Sequence, residues 1–260
     1  MTTDPANLPP VLRPQNPPAH RLADLAAHLG APIEQRVGGG DQDADTDASA
    51  SVTGLTLATA DLRPGDLFVA VQGGTRHGAE FADDAAARGA VAVVTDAAGR
   101  ERALASGLPT IVVPDPRGSL GALSAWVYAT GPNDTLPILF GTTGTNGKTS
   151  VSHLLEGILT QLGVTAGLSS TAERHIAGDV IVSRLTTPEA YEMHALLALM
   201  RERGVEAVAI EVSAQALSRQ RVDGIVFDVA GFTNLSHDHL DDYADMAEYF
   251  QAKVPLFRPD

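Results

Sequence analysis

Short apolar runs of strand length alternate along the chain with stretches whose apolar residues recur every three or four positions, the helical spacing. From Arg21, RLADLAAHLG predicts a short amphipathic helix ended by Gly30. Strands are expected at SVTGLTL, at LFVAV after the RPGD turn (63–66), at AVAVVTD and at TIVVPD. Between and after them AEFADDAAARG, GRERALASG and SLGALSAWVYAT read as helices. GPNDT (131–135) has the composition of a boundary. Beyond it LPILF is a strand, and VSHLLEGILTQLG carries Val151, Leu154, Leu155, Ile158, Leu159 and Leu162 at helical spacing. Further strands are expected at VTAGLS, VEAVAIEVS and IVFDVAGFT, with helices at PEAYEMHALLALMRERG and DMAEYFQAKVPLF. The alternation predicts an α/β protein: an N-terminal α/β domain over 21–131, then the first βα units of a doubly wound, phosphate-loop domain over 132–260. Few strands follow the phosphate-loop strand, so that second domain reads as incomplete. Residues 1–20 are proline-rich and expected to be a disordered tail, and the acidic run at 38–50 a solvated loop.

The stretch GTTGTNGKTS (141–150) lies between the LPILF strand and the helix that follows. Strand, glycine-rich loop and helix are the context in which backbone N–H groups turn around an anion at the positive end of a helix. Lys148 then offers a point charge to the outer phosphates, and the Thr149 hydroxyl is placed to hold Mg²⁺. Thr142 stands where the strict G-x-x-x-x-G-K-[ST] spelling has its first glycine, so Gly141, Gly144 and Gly147 give a related spelling.

Composition narrows the partners. The 260 residues carry a formal charge of −14, are 44% apolar and contain no cysteine. That charge opposes nonspecific attraction to nucleic acid or to anionic membranes, so any phosphate ligand needs a local site. The absence of cysteine excludes disulfides and thiolate metal sites. With no basic-then-apolar leader and no apolar run of bilayer length, a cytoplasmic location is expected.

Other candidate groups stay open on the residues alone. Glu211 ends an apolar strand and reads either as a solvated strand end or as a carboxylate facing a cation. Asn234 falls just after another strand end. SHDHLDD (236–242) is either a solvated turn or a source of a metal ligand; His237 and His239 lack the partners of a closed zinc site. Lys253 reads as a surface lysine. Thr186 or Thr187 suits a helix cap with Pro188 at the first helical position. His77, His153, His175 and His194 have no neighbours in sequence that suggest a site.

Taken together, RPGDLFVAV, GTTGTNGKTS, RLTTPEA, EVSAQALSRQRVDG and FTNLSHDHLDDYADMAEYFQAK resemble the Mur ligases of cell-wall synthesis. The nearest branch adds the third amino acid of the peptide. The resemblance implies ATP and Mg²⁺ as cofactors. Its substrates would be UDP-N-acetylmuramoyl-L-Ala-D-Glu and either L-lysine or meso-diaminopimelate. It assigns Gly144, Thr145, Asn146, Gly147, Lys148, Thr149 and Ser150 to the ATP phosphates. Thr149, Glu211, His239 and Lys253, the last as a carbamate, are assigned to Mg²⁺, and Lys148 and Lys253 to catalysis. Thr186, Thr187, Ser213, Arg219 and Arg221 would face the UDP-muramoyl-peptide, with Leu57, Thr59, Gly74, Thr75 and Arg76 on its uridine side. The chain departs from the family pattern at Ala58-Thr59-Ala60, where Asp-Ser-Arg is usual. It departs again at Ser213-Ala214-Gln215, where Ser-Ser-His is usual, and at Arg219. It also lacks the family's third domain, so an N-terminal fragment is expected. Two alternatives remain: a catalytically incomplete UDP-sugar-peptide binding module, and an unrelated phosphate-loop NTPase.

Overall fold

A computed structural model describes residues 11–35, 49–183, 187–238 and 242–258. The chain divides into two compact units, Pro17–Ala129 and Met1–Asn16 with Thr130–Asp260.

The Pro17–Ala129 unit is built on a five-stranded sheet in the order Ile33–Glu34, Thr110–Val112, Ala92–Thr95, Asp66–Ala70, Gly54–Thr56. The last four are parallel, and Ile33–Glu34 adds antiparallel at one edge. Strands buried on both faces need continuous apolar runs, and Leu67, Phe68, Val69, Ala70, Val93 and Val94 are all buried. Helices Leu22–Leu29, Ala82–Ala87, Arg100–Ala105 and Leu120–Tyr128 complete the unit, the first ending at Gly30 in the left-handed conformation. The RPGD turn is closed by Asp66 N–H donating to Arg63 O at 3.0 Å, and Arg63 N–H donating to the Asp66 carboxylate at 2.8 Å.

The second unit holds a six-stranded sheet in the order Asp179–Val182, Glu173–Ile176, Ala166–Ser169, Ala207–Glu211, Ile138–Thr143, Val229–Phe232. The last four strands are parallel; the first two form an antiparallel hairpin at the edge. The sequence pattern did not announce this hairpin, because its strands are short and carry Glu173, Arg174 and His175. Its signal was the Ala177-Gly178 pair, both at positive φ (48° and 93°), as a tight hairpin turn requires. One face of the sheet is covered by helix Ala190–Glu202, whose Met193, Leu196, Leu197 and Met200 pack with Leu139, Val208 and Ile210.

Three expectations are corrected. The tail was expected to run free to residue 20, yet Val11 is buried and Leu12 packs on the second unit's core. Gln15 and Asn16 N–H groups also donate to the Glu202 carboxylate at 2.7 and 3.2 Å. The helix after RLTTPEA is not capped by threonine: Glu189 caps it in a capping box with Glu192, and Pro188 lies outside. The phosphate-loop helix Lys148–Gln161 has a single buried residue, Ser152, while Val151, Leu154 and Ile158, and Leu162 just beyond it, are exposed. The last predicted helix is broken into Met246–Gln251 and a 3₁₀ turn Val254–Phe257, since Pro255 has no N–H to continue the ladder.

His194 has a structural role. It is fully buried, with Nδ1 2.7 Å from Thr130 Oγ1 and Nε2 2.9 Å from Asp223 O. A carbonyl only accepts, so Nε2 carries the proton and Nδ1 receives the threonine hydroxyl. Burial lowers its pKa to about 4, against the opposing effect of the Asp223 carbonyl. The unfolded chain takes up this proton near pH 6.5, so the stabilisation is complete above that value and is lost as pH falls toward 4. Lowering the pH from 7 to 5 is expected to cost roughly 2 kcal/mol at this site. Urea unfolding of wild type and His194→Gln at both pH values checks this: the wild type should lose more, and equal losses would remove His194 as the cause.

Candidate active site

The site lies at the carboxyl ends of the parallel strands of the second unit, where open α/β sheets gather ligands. Strand Ile138–Thr143 runs into the loop, and Gly147 (φ 83°) opens the 14-residue helix Lys148–Gln161. Gly144 is the tightest point. Its φ is 141°, and a Cβ there would stand 2.0 Å from Thr233 Oγ1 and 3.0 Å from Asn234 O. The segment after strand Val229–Phe232 holds the loop from the other side. Thr145 N–H donates to Asn234 O (2.8 Å), Asn146 N–H to Asn234 Oδ1 (3.2 Å), and the Thr233 hydroxyl to Asn146 O (2.7 Å). Ser236 N–H donates to Thr145 Oγ1 at 3.0 Å.

Two ammonium groups meet at one carbonyl. Lys148 Nζ donates to Gly144 O at 3.1 Å and Thr145 O at 2.9 Å, and Lys253 Nζ donates to the same Gly144 O at 3.1 Å. Lys253 is not the surface lysine its helix suggested: it is 1% exposed, with Nζ 4.0 Å from the centre of the buried Tyr249 ring. Burial lowers its pKa to about 8, helped by the charge of Lys148 and opposed by Asp238.

Glu211 is likewise not a solvated strand end; it is 2% exposed. Its Oε2 accepts from the Thr149 hydroxyl at 3.0 Å and from both the N–H and the hydroxyl of Thr171 at 2.9 Å. All three donors are neutral. A buried carboxylate beside the loop hydroxyl, a lysine of lowered pKa and the start of a helix are a donor set suited to a phosphate–Mg²⁺ ligand. Thr171 was missed in the sequence, where Ser-Ser-Thr is only a polar triplet. Tyr249 stands four residues before Lys253, a helical spacing that could have pointed to it.

The residues expected around the UDP-peptide are only partly gathered. Thr187 is buried and donates its hydroxyl to Glu211 O (3.2 Å), while Ser213 N–H donates to Thr187 Oγ1 (3.4 Å). Ser213 Oγ caps helix Ala214–Ser218 by accepting from Ala216 N–H. Arg221 Nε lies 3.0 Å from Glu189 Oε1. Arg219 is exposed, 3.8 Å from Asp242 Oδ1. Thr186 and His239 lie outside the described residues. In the Pro17–Ala129 unit, Leu57 and the 74–76 turn follow two adjacent parallel strands and so share one end of that sheet. Gly74, Thr75 and Arg76 are exposed in a turn closed by Gly73 N–H donating to Arg76 O at 2.9 Å. Thr59 opens the short 3₁₀ turn Thr59–Asp61 and is half-buried.

Residues 142–259 match the family model of the Mur ligase middle domain, and residues 51–128 that of the Mur ligase family catalytic domain. The chain belongs to the Mur ligase family. A UDP-N-acetylmuramyl-tripeptide synthetase of Leifsonia xyli subsp. xyli is 58% identical over 252 residues, 97% of this chain and 47% of the relative. A UDP-N-acetylmuramoyl-L-alanyl-D-glutamate–2,6-diaminopimelate ligase of Streptomyces avermitilis is 48% identical over 247 residues, 95% of this chain and 46% of the relative. A solved ligase structure bearing that same enzyme name shares the fold, with a TM-score of 0.68 at 22% identity over 92% of this chain and 45% of that one. This Mur ligase chain spans about half the length of the curated relatives it matches.

The loop geometry gives a direct test. Gly144→Ala places a methyl against Thr233 and holds alanine at a φ it rarely adopts. It should destabilise the protein by about 1–3 kcal/mol, read as a lower urea midpoint. An unchanged midpoint would mean that the loop relaxes freely around position 144.

Proposed function

We propose that the protein to which this chain belongs is an ATP-dependent amide ligase of peptidoglycan precursor synthesis, acting in the cytoplasm. It would add the third amino acid, L-lysine or meso-diaminopimelate, to UDP-N-acetylmuramoyl-L-Ala-D-Glu. The observation that carries the reading is the meeting of Lys148, Lys253 and the Thr149–Glu211 pair around the Gly144 loop. Family membership supports it, and the name of the Streptomyces avermitilis relative favours diaminopimelate as the amino acid.

Joining two carboxyl- and phosphate-bearing substrates is chiefly a problem of positioning and of charge. In the proposed reaction the D-Glu carboxylate attacks the γ-phosphorus of ATP, giving an acyl-phosphate and ADP. The amine of the incoming amino acid then attacks the acyl carbon and phosphate leaves. Residues 144–150 would receive the ATP phosphates on backbone N–H groups, with the Lys148 ammonium against the outer oxygens. Thr149 and Glu211, with His239, would hold Mg²⁺. Lys253 would join them as a carbamate: its neutral amine attacks CO₂, an N–C bond forms, and the displaced proton goes to water. A lysine held near pKa 8 supplies that neutral amine at a far larger fraction than an ordinary lysine. Thr186, Thr187, Ser213, Arg219 and Arg221 would face the muramoyl-peptide, and Leu57, Thr59, Gly74, Thr75 and Arg76 the uridine.

The exposed apolar groups agree with a longer protein. Phe232, Phe250 and Phe257 line a cleft of about 310 Å³ with Lys253 and Val254, beside edge strand Val229–Phe232. Such a patch calls for covering chain.

Calorimetric titration of this chain with UDP-N-acetylmuramoyl-L-Ala-D-Glu, with Mg²⁺–ATP as a second ligand, tests the reading. Binding of both is expected. Nucleotide binding alone would favour a generic NTPase. In the full-length protein Lys148→Ala should abolish turnover, and near-wild-type activity would overturn the assignment.

A further inference from the structure

Three residues on one face of the phosphate-loop helix reach across to the adjoining part of the sheet. Thr149, His153 and Glu156 are spaced four and three apart, so they line up along the helix. Thr149 donates to Glu211; His153 Nε2 lies 3.3 Å from Ser170 Oγ; Glu156 Oε1 lies 3.0 Å from His175 Nδ1. Ser170 opens the turn that leads strand Ala166–Ser169 into strand Glu173–Ile176, which carries His175. Between them sits Thr171, whose N–H and hydroxyl both hold Glu211.

His175 is bridged. Its second nitrogen, Nε2, lies 2.9 Å from Glu173 Oε2, so each ring nitrogen faces a carboxylate oxygen. Carboxylates only accept, and a neutral imidazole has one N–H to give. Both bonds form together only when the ring is an imidazolium. The other groups around the ring do not alter this. His153 from the helix meets it edge-on at 5.6 Å, and the cross-strand neighbours are the uncharged Leu168 and Val180.

We propose that His175 is a positioning residue, which ties the edge hairpin to the phosphate-loop helix through Glu156 and so fixes Thr171 against Glu211. The proposal rests on the reading of Glu211 as the carboxylate of a cation site. It adds a dependence on pH. Burial disfavours the charged ring, but the hydrogen bonds and charges of Glu173 and Glu156 outweigh it, and the His175 pKa is raised above the ordinary histidine value. A group with a raised folded pKa contributes its stabilisation fully below the unfolded value, and loses it as pH rises through the folded one. The hold on Thr171 therefore loosens as pH rises through the raised His175 pKa.

The test uses the whole 260-residue chain and has two arms. The first follows the His175 ring by NMR together with the hydrogen-exchange protection factor of the Thr171 amide, from pH 5.5 to 9. In wild type the protection should fall with the same midpoint as the His175 titration. Glu156→Gln should move that midpoint to lower pH. His175→Gln should show low Thr171 protection throughout, and His175→Lys, which keeps a charged donor, should restore it and remove the dependence on pH. Thr171 protection unchanged in His175→Gln, with the fold intact by circular dichroism, would overturn the proposal. So would protection that falls equally in His175→Lys.

The second arm measures Mn²⁺ binding in the presence of ADP. About a tenfold loss is expected for His175→Gln, with recovery in His175→Lys. If wild type binds no metal, the reading of Glu211 fails while the exchange arm still decides whether His175 positions Thr171. If metal binds with equal affinity in wild type and His175→Gln, the coupling to the site is refuted.

Discussion

Two buried charges of opposite sign flank the phosphate loop, and neither is neutralised by the hydrogen bonds it makes. Among the described residues, Glu211 accepts from three neutral donors, and Lys253 donates to a backbone carbonyl and meets the face of a tyrosine ring, with the charge of Asp238 only partly offsetting its own. Taking ions out of water without an opposite charge is costly. The neighbouring structure is arranged around that cost. The Thr171 turn supplies two of the donors, Gly144 turns its carbonyl toward both lysines, and Tyr249 fills the space beside Lys253. A ligand carrying both a cation and phosphate oxygens would complement each charge at once.

The parallel sheet brings these groups together. Ile138–Thr143 and Ala207–Glu211 are adjacent and in register, with Thr142 opposite Glu211, so the loop and the carboxylate leave the sheet side by side. Val229–Phe232 pairs on the other side of the loop strand and delivers Thr233, Asn234 and Ser236 to the loop backbone. The turn that follows strand Ala166–Ser169 delivers Thr171. Four stretches distant in sequence thus converge because neighbouring parallel strands end at the same level. His194 serves this frame from the interior, joining Thr130 to Asp223.

Much of this was legible in the residues. Alternating strand and helix patterns gave the α/β class. The glycine-rich loop was readable because strand, loop and helix are contiguous in sequence. Burial was not readable for Lys253 or Glu211, since the bland reading of a helix lysine or a strand-end glutamate is exposure. The apolar spacing on Lys148–Gln161 correctly marked a helix, yet Leu154 and Ile158 meet solvent here. Periodicity specifies a face and leaves its partner unspecified.

The sequence by itself determined the local elements, the phosphate loop, the turn at 63–66 and the family resemblance, because each depends on residues close together along the chain. Tertiary structure alone decided that Thr171 meets Glu211, that Lys148 and Lys253 share the Gly144 carbonyl, and that His175 lies between Glu156 and Glu173. Those contacts join residues brought together by strand order and by the lateral packing of a helix on a sheet. Desolvation, which sets the chemistry of each charge, exists only once that packing has formed.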